Sequence, residues 1–86
     1  METLSLEEFL KGLKKPKKIV IVIYISKGVS ENVYVIKDKS AVANLFISED
    51  AREVNKKIKV GGFYRLVKPK LNADGDVVAD KNSGKI

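Results

Sequence analysis

The apolar positions of this chain change period along its length, and each change marks an element. Leu6, Phe9, Leu10 and Leu13 fall at i, i+3, i+4 and i+7, which is one stripe of a helix. Ser5 with Glu8 three residues later has the pattern of a capping box, and Leu4 ahead of the cap can pack on Phe9 as a hydrophobic staple. The spacing predicts a short helix within residues 1–13, too short to stand alone and therefore docked on the rest of the chain. Pro16, within Lys14-Lys15-Pro16-Lys17-Lys18, ends it, because proline disfavours helical geometry in the residue before it.

From Ile19 the pattern becomes that of strands. Ile19-Val20-Ile21-Val22-Ile23-Tyr24-Ile25 is almost wholly β-branched and predicts a first strand, buried on both faces for much of its length. Ser26–Asn32 reads as a polar turn, Val33–Ile36 as a second strand and Ala41–Ile47 as a third, the last two joined by Lys37–Ser40 as a hairpin. A second helix is expected over Ser48–Lys57: Ser48 is the N-cap, Glu49 and Asp50 open it, Lys56 and Lys57 close it, and Ala51, Val54 and Ile58 give an apolar face. A fourth strand begins at Val60, with Gly61-Gly62 as a bulge or tight bend, and continues through Lys68-Pro69-Lys70-Leu71. Asn72–Asp76 is a hairpin turn built on Asp74-Gly75, and Val77-Val78-Ala79 opens a fifth strand.

Composition narrows the chemistry. Eighty-six residues make one domain with a modest, continuous core. The absence of cysteine excludes disulfides and thiolate metal sites. The absence of histidine removes the usual neutral-pH base and the commonest metal ligand. No carboxylate pair is spaced for acid–base work, so neither catalysis nor a cofactor or metal is expected. A net charge of +6 and a pI near 9.6 favour a partner dense in negative charge. The longest apolar run, Ile19–Ile25, falls far short of the roughly 20 residues that span a bilayer, and Glu2, Glu7 and Glu8 do not suit a signal peptide. A soluble chain without a membrane partner is expected.

Three strands, a helix and two strands, with a short helix ahead, resemble the OB-fold, a five-stranded Greek-key barrel whose helix sits between strands 3 and 4. The stretch Ile58-Lys59-Val60-Gly61-Gly62-Phe63-Tyr64-Arg65-Leu66 is similar to the lead-in to strand 4 of replication-protein-A-like OB domains. Asp38-Lys39-Ser40 resembles that family's turn between strands 2 and 3. The resemblance covers residues 19–86, with residues 1–18 as a helix and basic linker docking on the barrel. It implies binding of single-stranded DNA or RNA across strands 2 and 3, flanked by the loops Ser26–Asn32 and Leu71–Asp76. The second of these loops departs from the expected charge, since it carries Asp74 and Asp76 and no base.

Binding a single strand needs cations along the phosphates and rings under the bases. Strand alternation places Val42, Asn44 and Phe46 on one face of the third strand, and Asn44 suits solvent, which would expose Phe46 as a stacking platform; the alternative is a core phenylalanine. In the second strand, either Lys37 faces out and Tyr34 is buried, or the reverse; the preference of a tyrosine hydroxyl for a wet end favours the outward Tyr34. Phe63 and Arg65 share the outward face of the fourth strand, with Tyr64 and Leu66 inward. Lys37, Lys39, Lys68 and Lys70, the last two flanking Pro69, complete the expected contact set of Tyr34, Asn44, Phe46, Phe63 and Arg65. Lys14–Lys18 resembles a short nuclear-import signal, which implies an intracellular and nuclear location. With only three Phe and three Tyr and an acidic last loop, the alternative function is a protein-interaction module, a subunit or adaptor with no nucleic-acid ligand.

Overall fold

The β-branched run that opens at Ile19 becomes the spine of the molecule. The computed structural model describes residues 2–12 and 19–80. Leu13, the Lys14–Lys18 run and the side chain of Val54 fall outside what is described. The described strands are β1 (Glu2–Leu4), β2 (Ile19–Ser30), β3 (Val33–Lys37), β4 (Val42–Ile47), β5 (Phe63–Val67), β6 (Lys70–Leu71) and β7 (Val77–Ala79). Helix α1 (Leu6–Lys11) lies between β1 and β2; a 3-10 turn, Glu49–Ala51, runs into α2 (Arg52–Lys57) between β4 and β5.

One mixed sheet holds these strands. Val20 and Ile21 pair with both β1 and β5, and Tyr24 pairs with both β3 and β5. It follows that β1 and β3 share the edge of β2 opposite β5 and succeed one another along it. The order then runs β3, β4, β7, β6; β1–β2 and β4–β7 are parallel and the other pairs antiparallel. Lys68 and Pro69 alone connect β5, at one end of the sheet, with β6 at the other. Register shifts between Ile25 and Lys27 and between Gly28 and Ser30 bend β2, as bulges do. The result is a mainly β, curled half-barrel with little helix.

The inner face closes on Ile21, Ile23 and Ile25 of β2, Ile36 of β3, Leu45 and Ile47 of β4, Leu66 of β5, and Val77 and Ala79 of β7. Helix α1 adds Leu6 and Phe9, and Ala51 and Ile58 come from the α2 region. The capping box forms as the sequence requires: Ser5 Oγ accepts the Glu8 N–H at 3.1 Å, and the Ser5 N–H donates to Glu8 Oε1 at 3.3 Å. Gly12, in left-handed geometry at φ 63°, ends the helix.

Several sequence expectations are corrected here. Ser26–Asn32 is not a loop: β2 continues to Ser30, and only Glu31 and Asn32 make the turn. Lys27, Gly28 and Ser30 are polar or small and exposed, so their composition resembles a loop, while pairing with β3 supplies their backbone partners. The first strand is buried on both faces only at Val20 and Ile21; beyond them its outer face opens, with Val22 42% exposed and Tyr24 half-buried. Among the described residues, seven strands stand where five were expected. β1 adds one in parallel to β2, and the expected fourth strand breaks at Lys68, whose φ of 53° departs from strand geometry, and at Pro69, which has no N–H for a ladder. The helix expected over Ser48–Lys57 starts as a 3-10 turn, with the Ala51 N–H bonded to the Ser48 carbonyl. Gly61 and Gly62 precede β5 instead of lying within it; Gly61 takes φ 89°, and its N–H bonds the Ile25 carbonyl at 2.8 Å. A Cβ on Gly62 would lie 2.7 Å from the Tyr64 ring, which is fixed there by the Lys59 N–H donating to its hydroxyl at 2.8 Å.

Candidate functional site

Alternation along β2 sends Ile21, Ile23 and Ile25 inward, so Val22 and Tyr24 face out. Antiparallel pairing carries this face onto the neighbours. Tyr24 lies opposite Phe63 of β5 on one side and Lys37 of β3 on the other, and Lys37 lies opposite Val42 of β4. Phe63, Tyr24, Lys37 and Val42 thus form one row across four strands. Arg65 lies beside this row, opposite Val22.

The geometry of the row is that of an open aromatic platform. Phe63 is 74% exposed, and its ring centroid is 4.9 Å from that of Tyr24 at an interplanar angle of 49°. Lys37 Nζ stands 5.4 Å from the centroid of the Tyr24 ring, within the range in which an ammonium is attracted to a ring face. Among the described residues, no salt bridge ties Lys37, Lys39 or Arg65 to a carboxylate. Three cations and two rings therefore share one side of the sheet.

Next to Tyr24 the surface falls into an open cavity of about 660 Å³, lined by Leu4, Val22, Ile23, Tyr24, Lys37, Asp38, Lys39 and Phe63. Its shape depends on Asp38. Asp38 Oδ2 accepts the Leu6 N–H at 2.7 Å, and Oδ1 accepts the Ser40 N–H at 2.7 Å, the Ser40 hydroxyl at 2.6 Å and the Ala41 N–H at 3.1 Å. The Ser40 Oγ in turn accepts the Glu7 N–H at 2.9 Å. The β3–β4 turn thereby holds the first turn of α1. Partial burial of Asp38 works to raise its pKa, but the hydrogen bonds from the Ser40 hydroxyl and from the Leu6, Ser40 and Ala41 amides outweigh it and hold the carboxyl below its ordinary value.

The residues expected to make contact divide into groups. Lys37, Lys39, Phe63 and Arg65 come together around Tyr24. Asn44 and Phe46 also face out from β4, but at a different row: Asn44 Nδ2 donates to Asp76 Oδ1 at 3.3 Å, and Phe46, 36% exposed, lies opposite Val33 and Val78. Lys70 is exposed but salt-bridged to Asp80 at 2.9 Å, and exposed Lys68 donates its N–H to the Ile19 carbonyl. The outward placement of Tyr34 is corrected: it lies opposite Leu45 and packs half-buried against the core, because Lys37 takes the outward register and alternation then turns Ile36 and Tyr34 inward. Tyr24, Val22 and Leu4 were not anticipated at the site. The alternation of Val20, Val22 and Tyr24 with three isoleucines was the signal for the first two, hidden because every residue in the run is a strong strand former.

No protein-family model matches this chain, and no curated protein does. Among solved structures it is similar to the hypothetical protein ygiW from E. coli, at 20% sequence identity and a TM-score of 0.56, covering 100% of this chain and 83% of that one. The likeness is one of fold. It fits a barrel-like curling of the sheet and names no ligand.

Proposed function

We propose that this chain is an OB-type barrel that binds single-stranded nucleic acid on the outer face of its sheet and catalyses no reaction. Taking β5 and β6 as one strand bent at Pro69 supports the five-strand reading, since β2, β3, β4, β7 and the β5–β6 pair then follow one another around the curl. The observation that carries the function is the exposed Phe63, set against Tyr24 in a row with Lys37 and beside Arg65. A large ring left in water on a sheet face is informative in a way a lone exposed leucine is not. Bases of any identity stack on such rings, and unpaired cations beside them meet the phosphates.

A short labelled oligonucleotide titrated at low and at physiological salt tests the reading. Binding should be tightest at low salt, and Phe63→Ala should weaken it by about 1–3 kcal/mol, the range of one base–aromatic stack, with the fold unchanged. Absence of binding at low salt, or indifference to both Phe63→Ala and Arg65→Ala, would remove this reading. A stoichiometric protein partner that survives nuclease treatment would then favour the protein-interaction function.

A further inference from the structure

We infer that the cavity beside Tyr24 is a subsite for a single nucleotide, its base inside and its phosphate on Lys37 and Lys39. This deepens the proposal that the outer face binds a single strand, and rests on it. The cavity arises from the sheet itself. β1 and β3 run along the same edge of β2, but their pairing stops at Ile21 and resumes at Tyr24. Val22 and Ile23 are left without a cross-strand partner on that edge, and the gap between the two strand ends is the cavity.

Its size and lining select the ligand. About 660 Å³ lies within the roughly 300–1,000 Å³ of small-molecule sites and leaves room for a nucleotide. Val22 gives an apolar wall and the Tyr24–Phe63 pair a flat one, the nearly buried Leu4 and Ile23 add little surface, and the exposed Lys37 and Lys39 bring positive charge. A ligand with a flat, weakly polar body and a negative group at one end complements all three features. Asp38 is the acid in the lining, and both its oxygens are already engaged by donors of the turn and of α1, so it presents no free carboxylate to an incoming phosphate.

Methyl NMR with adenosine monophosphate, adenosine and a short oligonucleotide as probes tests the assignment. The nucleotide should shift the Leu4, Val22 and Ile23 methyl signals saturably. Val22→Phe should fill the cavity and weaken nucleotide binding tenfold or more, whereas Val60→Phe, at an exposed position outside both the outer row and the cavity lining, should leave it unchanged. Lys37→Ala and Lys39→Ala should weaken the monophosphate and leave adenosine unaffected. Oligonucleotide binding that depends on Phe63 but ignores Val22→Phe would overturn the subsite and leave the outer-face reading standing. No oligonucleotide binding by the wild-type protein would remove both. Saturable cavity shifts given more readily by a phenylalanine–aspartate peptide than by the nucleotide would overturn the ligand class.

Discussion

Asp38 lies where two parts of the molecule depend on one side chain. It closes its own turn through Ser40 and Ala41 and supplies an acceptor to α1 through the Leu6 N–H. Asp38→Ala should therefore cost about 1–2 kcal/mol in urea unfolding at neutral pH, the scale of a lost helix cap. The pH dependence follows from the lowered pKa. The unfolded chain takes up the proton near the ordinary value of 3.8, the folded one only below it, so the contribution is complete above 3.8 and fades as pH falls through the folded pKa. The difference between wild type and variant should shrink in that acid range; a difference independent of pH would exclude an ionised carboxylate as its source. At this scale the sequence was legible where a residue's role is local. Ser5 with Glu8 and the Asn72–Asp76 turn act within a few positions, and in that turn Asn72 Oδ1 accepts the Asp74 and Asp76 N–H groups while Gly75 takes φ 83°. Asp38 was seen only as a turn residue, because its partner in α1 is 32 positions away.

Between elements, the N-terminal segment is the part whose weight the sequence understated. A stripe of leucines and a phenylalanine predicted that α1 would dock. It did not predict that Glu2–Leu4 would add a parallel strand to β2, since three residues carry no period of their own. Leu6, fully buried, sits in the same cluster as Ile21, Ile36 and Leu66. Leu6→Ala should thus cost about 2–5 kcal/mol, a core deletion and not a surface one. In a small domain whose total stability is of the order of 5–15 kcal/mol, that is a large share. Glu7→Ala, on the exposed side of the same helix, should stay within about 0.5 kcal/mol. Equal, small effects from both would mean that α1 is an appendage. The two tyrosines teach the complementary lesson. Tyr24 was assigned to a buried strand and Tyr34 to an exposed face; both are half-buried, but Tyr24 lies on the outer face and Tyr34 packs against the core. A run of strand formers fixes that a strand exists, while the pairing register decides which side of it meets water.

Across the whole molecule, the net charge of +6 is less telling than where the unpaired part of it lies. Lys70 is engaged by Asp80, and the last hairpin is acidic, whereas Lys37, Lys39 and Arg65 stand around Tyr24 and Phe63. If these three meet phosphates, the logarithm of the oligonucleotide affinity should fall with the logarithm of salt at a slope of about −2, from about 0.7 per contact for a single strand. Arg65→Ala should reduce that slope by about 0.7, and Lys70→Ala should leave it unchanged. A slope equally sensitive to both would describe a diffuse positive field without a site.

By itself the sequence determined the strand-rich class, the capped first helix, the position of the last hairpin and the outward pairing of Phe63 with Arg65, because each is set by period, capping or turn chemistry over a few neighbouring residues. Only the tertiary structure decided that Leu4, Tyr24, Lys37 and Phe63 meet. Those four come from four strands, and their meeting depends on which edge each strand takes along β2 and where pairing stops. Local preference carries no information on that choice, since the hydrogen bonds and burial that select it exist only once the sheet has curled.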